Sequence, residues 1–209
     1  MREIPILFSG PMVRAILDGS KTQTRRIVKP AGAHHIFQFR GKDEARGADE
    51  PTGEWAWCRS AHVVSEHIRC PYGKPGDRLW VRETWQGPMW EEGTWDADTD
   101  YHTPKYCEYR ADGGPTPEYV DFEDNLRQGW KPSIHMPRWA SRITLEVSGV
   151  RIERLQSISE ADAEAEGIEG GHATVQFRGL WDSVALRGAD WDANPWVWVV
   201  EFKRIGGVA

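Results

Sequence analysis

Short apolar stretches separated by turn residues predict a chain made mostly of strands. The apolar run at 4–8 predicts a first strand, and apolar residues spaced four apart between Pro11 and Gly19 predict a short helix that the glycine ends. Only short strand-like pieces follow, at 35–39 and 54–58. The first sixty or so residues therefore predict small elements joined by turns.

The segment "PGDRLWVRETW" has a clearer pattern, a turn that leads into a strand. Alternation places Leu79, Val81 and Glu83 on one side of this strand. If that side faces the interior, Glu83 is a carboxylate at the inner end of a strand, and a salt bridge to one of the many arginines is the equally weighted alternative. Farther along, the alternating residues at 143–152 predict a long strand broken by a bulge, or a tight hairpin.

Near the end of the chain the pattern predicts one more helix and one more strand. In "SISEADAEAEGI", Ser159 is suited to the N-cap with Asp162 three residues later, and Gly167 is suited to the end of the helix. The segment "PWVWVVEFKRI" is apolar on both faces through Val200, which is typical of a central strand. These elements predict an α+β fold that is mainly β, a small curved β-barrel with short helices at its ends.

Between these elements lies a long acidic segment, residues 86–135, rich in Gly and Pro and punctuated by tryptophans. We predict that residues 1–209 form a single domain and that this segment is an irregular insertion, with one hairpin around 105–112, folded over the core by its aromatic residues. A long loop of this kind can also serve as a lid.

Composition narrows the classes of function. A formal net charge of −6 argues against a protein that coats long nucleic acid, although a local basic pocket for a small ligand is compatible with it. Three cysteines without CxxC spacing indicate neither a disulfide framework nor a standard zinc site, so we expect no metal and no cofactor. No apolar run has membrane length and no signal peptide is recognisable, so we expect a cytoplasmic protein with no membrane partner.

The stretch "GSKTQTRR", residues 19–26, is cationic in an otherwise acidic chain. It follows the predicted first helix, so we expect it to start in a turn held against packed structure. A solvated loop, a phosphate clamp, or the nucleophile and base of an enzyme are the interpretations that its residues allow. The 12 tryptophans add a second choice, between packing in the core and stacking against a nucleobase.

Several of these segments together resemble the ASCH family, a branch of the PUA-like β-barrels. The resemblance rests on "ILDGSKTQTRR", the "PGDRLWV" strand, the "SISEADAEAEGI" helix and the final "WVWVVEFKRI" strand. It covers roughly residues 4–30, 74–85 and 136–205, and is nearest to the larger ASCH proteins of phages and prophages. The GxKxxTxR element corresponds here to Gly19, Lys21, Thr24 and Arg26.

The resemblance implies a chemistry. A compact bacterial ASCH protein removes the acetyl group of N4-acetylcytidine with a lysine, a threonine and a glutamate, which match Lys21, Thr24 and Glu166 of this chain. A threonine hydroxyl becomes a nucleophile when a base removes its proton, and a lysine can be that base when its pKa falls. A Lys–Glu pair raises the lysine pKa whereas burial lowers it, so the two effects oppose each other. Arg26 is then suited to hold a pyrimidine carbonyl or the oxyanion.

Two functions are therefore expected in order of preference. The first is hydrolysis of an N4-acylcytidine or a related modified pyrimidine nucleoside. The second is a PUA-like module that binds RNA, with or without ribonuclease activity. Beside Arg26, the predicted substrate-binding residues are Ser9, Gly10, Glu83, Trp85, Arg138 and Trp139. For Arg138 and Trp139 the alternative is structural, with the tryptophan in the barrel core and the arginine paired with the acidic insertion.

Overall fold

The computed structural model describes residues 1–29, 35–40, 51–60, 63–90, 93, 95–121 and 123–206. Their α-helices are α1 (Gly10–Asp18), α2 (Glu160–Ala165) and α3 (Ala173–Val184). Their strands are β1 (Glu3–Leu7), β2 (Gln23–Ile27), β3 (His35–Arg40), β4 (Pro51–Ser60), β5 (Val63–Ile68), β6 (Arg78–Arg82), β7 (Trp85–Gln86), β8 (Glu108–Tyr109), β9 (Glu118–Val120), β10 (Leu126–Gln128), β11 (Thr144–Arg154) and β12 (Trp196–Arg204). The predicted α+β class with a strong majority of strands is confirmed.

The strands form open sheets. The largest has the order β1-β6-β11-β12-β2, and the others are β3-β4-β5, β7-β8 and β9-β10. In the described part of the chain β1 and β2 each pair on one side only, so the expected closed barrel is not formed there. As predicted, β12 is a central strand, which agrees with its apolar residues on both faces.

The chain divides into two compact units. Unit 1 comprises Met1–Lys21, Gly76–Glu146 and Lys203–Ala209, and unit 2 comprises Thr22–Pro75 and Val147–Phe202. The single-domain organisation stays a prediction. None of the helices within the described ranges is long and apolar enough to cross a membrane.

In unit 1, β1 runs parallel to β6, with Ile6 opposite Val81, and the start of β11 runs antiparallel to β6, with Leu145 opposite Leu79. These four side chains are buried, so alternation placed the apolar face of β6 correctly. Helix α1 ends as predicted at Gly19, which has the left-handed backbone (φ 89°) that glycine adopts without strain.

The segment 86–135 lies entirely in unit 1. Residues 105–112, where we expected a hairpin, form two short 3-10 turns on either side of β8, which pairs with β7. The hairpin lies later in the segment, where β9 pairs with β10. An aromatic and aliphatic core anchors the segment, and it contains Trp85, Tyr109, Met136 and Ala140.

In unit 2, β12 runs antiparallel to β2, and α2 and α3 pack against one face of that pair. Phe177 and Trp181 of α3 join Val197 and Val199 of β12 in one buried cluster. Helix α3 was not predicted from the sequence. Strands β3 and β4 correspond to the two short strand-like pieces that were predicted.

Candidate functional site

The cationic stretch spans the end of a turn and the whole of a strand. The Lys21 N–H donates to the Ala15 carbonyl at 2.8 Å, which closes the turn after α1. From Gln23 onward the residues belong to β2, so Thr24 and Arg26 lie in a paired strand. The stretch therefore starts in a turn, as expected, and continues into a strand, which was not expected for Thr24.

Lys21 is a buried cation in unit 1. Its side chain is nearly covered, with 2% of the residue exposed, and its ammonium nitrogen lies 5.7 Å from the centroid of the Phe8 ring. The electron-rich ring face partly offsets the loss of water around the charge. Lysine is rarely buried to this degree, so its position is consistent with a functional role.

The register of β2 on β12 sorts the neighbouring side chains onto two faces. Thr24 is opposite Val200 and Arg26 is opposite Trp198, so these four residues share one face of the sheet. Trp198 is buried there with its ring edge-on to Trp55 at 5.2 Å. Arg25 follows Thr24 and points to the other face.

Arg26 is half-buried, and its surroundings shift its pKa in opposing directions. Burial lowers its pKa, and the nearby Tyr72 and Glu166 oppose that shift. Burial likewise raises the pKa of the Tyr72 phenol, and Arg26 opposes it. Arg26 and Glu166 are therefore electrostatic neighbours within unit 2.

The end of α2 is held against the beginning of β2. Ser159 and Asp162 form the predicted capping box at the start of the helix. At its other end the Thr22 N–H donates to the Ala165 carbonyl at 2.8 Å, one residue before Glu166. Glu166 caps the helix and is 5% exposed. This backbone bond joins the residue that follows Lys21 to the residue that precedes Glu166.

Arg25 lies at the centre of a buried ionic cluster. Its side chain is fully covered, and its guanidinium nitrogens lie 2.6 Å from Glu153, 3.4 Å from Asp162 and 3.4 Å from Glu166. The remaining donor, Nε, is buried with no hydrogen-bond partner among the described residues. Phe177 covers the guanidinium from α3, with its ring centroid 5.9 Å from Cζ. The cluster fixes the position of the Glu166 carboxylate.

A second arginine extends this cluster toward solvent. Arg151 Nη2 donates to Asp162 at 2.8 Å and to Gln23 at 3.3 Å, and Nη1 bonds to Glu201. Burial raises the pKa of Asp162, but its bonds with Ser159 and Gln23 and the charge of Arg25 outweigh that effect and lower it to about 2. The carboxylates of the cluster (Glu153, Asp162, Glu166 and Glu201) outnumber its two arginines.

Glu83 is buried in unit 1 as a member of an ion pair. It is 1% exposed, and both of its oxygens accept from Arg142, at 3.0 and 3.1 Å. Burial raises the pKa of Glu83 and the Arg142 contact opposes the rise. Arg142 also donates to Asp112 at 2.7 Å and stacks over Tyr109. The salt-bridge alternative for Glu83 is therefore the one that the structure shows.

The remaining predicted residues of unit 1 have contacts within that unit, and their role in binding stays a prediction. Trp85 is buried and meets Trp139 edge-on at 5.5 Å, and Trp139 packs against the same core. Arg138 donates to Glu3 at 3.1 Å, so its partner is on β1 and not in the acidic insertion. Ser9 is the N-cap residue of α1, although no capping bond from its side chain is present among the described atoms, and Gly10 begins that helix.

The predicted site residues therefore fall in both units. Thr24, Arg26 and Glu166 belong to unit 2, and the others belong to unit 1. Sequence reasoning missed Arg25, Glu153 and Arg151. Alternation along "KTQTRR" would have placed Gln23 and Arg25 on one face, but it does not show that acidic residues from a distant strand and helix lie there.

No group of three or more His, Cys, Asp or Glu residues suited to a metal ion occurs within the described ranges. Cys58, His62, His67 and Cys70 lie close together in the sequence with irregular spacing, and His62 of this group lies outside those ranges. Comparison with protein-family models, with curated proteins and with solved structures found no match to this chain.

Proposed function

We propose that this protein is a hydrolase that acts on a modified pyrimidine nucleoside, by amide hydrolysis of an N4-acylcytidine, with the PUA-like fold of the ASCH family. One observation carries the proposal. Lys21 is buried in unit 1, and Thr24 and Glu166 are buried in unit 2, with 2%, 1% and 5% of each residue exposed. Within unit 2, the Thr22 N–H donates to the Ala165 carbonyl, next to Glu166. Burial of a base, a hydroxyl and an acid is costly without a functional gain.

The proposed reaction assigns one role to each of these groups. Lys21 in its neutral form takes the proton of the Thr24 hydroxyl, and the oxygen attacks the acyl carbonyl. The carbon–nitrogen bond then breaks, and the proton that Lys21 took from Thr24 passes through the Glu166 carboxylate to the leaving N4, so Lys21 becomes neutral again. Water hydrolyses the acyl-threonine and regenerates the hydroxyl. In this scheme Arg25 keeps the Glu166 carboxylate oriented through their 3.4 Å contact.

The environment of Thr24 supports a planar, polar substrate. Arg26 and Trp198 share its face of the sheet, and Trp55 packs on Trp198. A guanidinium can donate to a pyrimidine carbonyl, and an indole offers a face for stacking. A pyrimidine base is a ligand that needs both.

A second candidate function is RNA binding through β6. Trp80 lies between two guanidinium groups, that of Arg82 at 5.4 Å and that of Arg138 at 5.9 Å from its ring centroid. Arginine beside an aromatic ring suits single-stranded RNA. The Glu3 carboxylate makes RNA binding here less favourable, because it pairs with Arg138 and lies 3.9 Å from Arg78 and so competes with phosphate groups for these arginines.

The decisive experiment compares Lys21→Arg with Lys21→Ala on a panel of acylated and thiolated nucleosides, with products identified by mass. A guanidinium does not deprotonate near neutral pH, so both variants should lose turnover equally, while Lys21→Arg still binds ligand. Lys203→Arg, at an exposed lysine paired with Glu146, is the matched control and should keep full activity. Thr24→Ala should abolish turnover and Thr24→Ser should retain part of it.

Other outcomes would count against the proposal. Near-normal turnover by Lys21→Arg would exclude the lysine as base and would favour attack by water that Glu166 activates. Absence of hydrolysis by the parent protein, together with RNA affinity that falls steeply with salt, would favour the RNA-binding function.

A further inference from the structure

The insertion carries a cluster of four aromatic rings that is partly open to solvent. We call Trp90, Trp95, Tyr101 and Tyr106 the aromatic cluster. Trp95 stacks on Tyr101 at 4.8 Å with an interplanar angle of 12°, and Trp90 lies 4.8 Å from Trp95. Tyr106 meets the buried Tyr101 at 4.7 Å. Trp90 and Trp95 are nevertheless 47% and 58% exposed.

A hydrogen-bonded turn holds these rings in place. The Asp96 N–H donates to the Tyr101 hydroxyl at 2.9 Å, next to the stacked Trp95. The Asp96 carboxylate accepts from the Asp98 N–H at 3.0 Å and from the Thr99 hydroxyl at 2.8 Å. The turn therefore presents its exposed rings in a fixed geometry, so a ligand would not have to order them.

The charges around the cluster favour one kind of ligand. Asp96, Asp98 and Asp100 are exposed in the turn beside the rings. The Asp98 N–H and the Thr99 hydroxyl hold the pKa of Asp96 below its usual value, so this carboxylate is ionised at neutral pH. Aromatic faces carry a negative electrostatic potential, which adds to that of the carboxylates.

The cluster already receives a cation from its own chain. The Lys105 ammonium lies 5.2 Å from the centroid of the Tyr106 ring. Trp90 and Trp95 at the other end of the cluster offer larger rings of the type that attracts cations most strongly. The same carboxylates repel phosphate groups, so nucleic acid does not fit this surface.

We propose that the aromatic cluster is a docking site for a basic peptide segment of a partner protein, with an arginine or lysine side chain against the exposed faces of Trp90 and Trp95 and its charge near Asp98. The site lies wholly in unit 1 and is independent of the proposed hydrolase function. A neutral sugar would stack on the rings and donate hydrogen bonds to the carboxylates, but it carries no positive charge to balance theirs. The charge pattern therefore selects the cationic occupant.

The test uses the full chain and a fluorescein-labelled peptide of alternating Arg and Gly, with binding followed by anisotropy at low ionic strength. We expect binding that weakens as salt is added, because exposed charges are screened. Trp95→Leu, which keeps an apolar contact with Tyr101 but has no aromatic face, should weaken binding about twofold to fivefold, the range of an exposed cation–π contact. Asp98→Asn should also weaken it, whereas Asp124→Asn, in an exposed turn of the same unit, should not.

Thermal midpoints equal to that of the parent chain would show that these exposed substitutions leave the fold intact. If Trp95→Leu bound the peptide as tightly as the parent protein, the proposal would be overturned, because the aromatic face of Trp95 would then contribute nothing to binding the cation. Preference for a neutral maltohexaose or for a single-stranded oligonucleotide over the arginine peptide would also overturn it, as would absence of peptide binding. None of these results depends on nucleoside hydrolysis.

Discussion

Replacement of Arg25 by methionine removes a guanidinium that lies 3.4 Å from the Glu166 carboxylate. Methionine fits a covered site and keeps an apolar stem against Phe177. The Glu166 carboxylate, which is almost completely covered, then loses the nearby charge of Arg25. We therefore expect Arg25→Met to destabilise the fold strongly.

The magnitude follows from the burial of each partner. Breaking a buried ion pair by removal of one member costs about 3–5 kcal/mol. The side chains of Glu153 and Asp162 are 21% and 24% exposed, so water can partly replace Arg25 for them. Glu166 has no such access, and Arg151 still serves Asp162. We therefore expect Arg25→Met to lower the free energy of unfolding by about 3 kcal/mol, the lower end of that range.

The measurement is urea unfolding followed by circular dichroism at neutral pH. Arg178→Met is the matched control, because Arg178 lies on α3 in the same unit and its contacts with Asp182 and Asp192 are exposed. Removal of such a surface pair should change the free energy of unfolding by less than about 1 kcal/mol. Both variants lose one positive charge, so the difference between their free energies of unfolding measures the effect of burial.

A double-mutant cycle isolates the charge on Glu166. If Arg25→Met lowers the free energy of unfolding because the buried Glu166 carboxylate loses the charge of Arg25, then adding Glu166→Gln to Arg25→Met should restore part of that free energy. A double mutant whose loss equals the sum of the two single losses would refute this explanation. A loss below about 1 kcal/mol for Arg25→Met alone would refute it as well, because it would show that water reaches the cluster.

Two further predictions concern packing and acid stability. A Cβ at Gly87 would lie 2.8 Å from Cys107 Sγ, so Gly87→Ala should lower the free energy of unfolding by about 1–3 kcal/mol in urea titrations, whereas Gly114→Ala, with no neighbour within 4 Å among the described atoms, should be nearly neutral. The pKa of Asp162 is lowered to about 2 from 3.8, so its contribution is complete above about pH 4 and is lost as the pH falls through 2. The free energy of unfolding should therefore fall between pH 5 and pH 2.5 by about 1–2 kcal/mol less in Asp162→Asn than in the parent or in Asp124→Asn. An equal fall in all three proteins would contradict the assignment.

Local patterns predicted most of the elements. The capping box at Ser159, the glycine that ends α1 and the doubly apolar β12 each depend on residues close in the sequence, and each was predicted correctly. Helix α3 was missed although Ala173, Phe177 and Trp181 recur every four residues and are buried. Its sequence contains β-branched residues and a glycine, which lower the helix propensity, and the helix is stabilised by packing on β12 instead.

Pairings between distant segments could not be predicted in the same way. The parallel pairing of β1 with β6 joins strands separated by about seventy residues. The local sequence of neither strand predicts which strand it pairs with. The failure at Thr24 has the same origin. A run of polar residues resembles a surface turn, and its position in β2 depends on pairing with the distant strand β12, where Thr24 is opposite Val200.

The buried cations of "KTQTRR" have different partners, and this difference separates structure from function. Arg25 is surrounded by carboxylates that need its charge, so its removal is expected to cost stability. Lys21 lies in unit 1, with its ammonium nitrogen 5.7 Å from the centroid of the Phe8 ring. Groups that are buried for catalysis are commonly tolerated at a cost in stability, so a catalytic Lys21 can be replaced with little destabilisation while turnover is lost. The free energy of unfolding and the turnover rate should therefore be compared in the Lys21 and Arg25 variants. Loss of turnover with little loss of stability in the Lys21 variants would indicate a catalytic lysine, whereas loss of stability in both sets would indicate that both cations are structural.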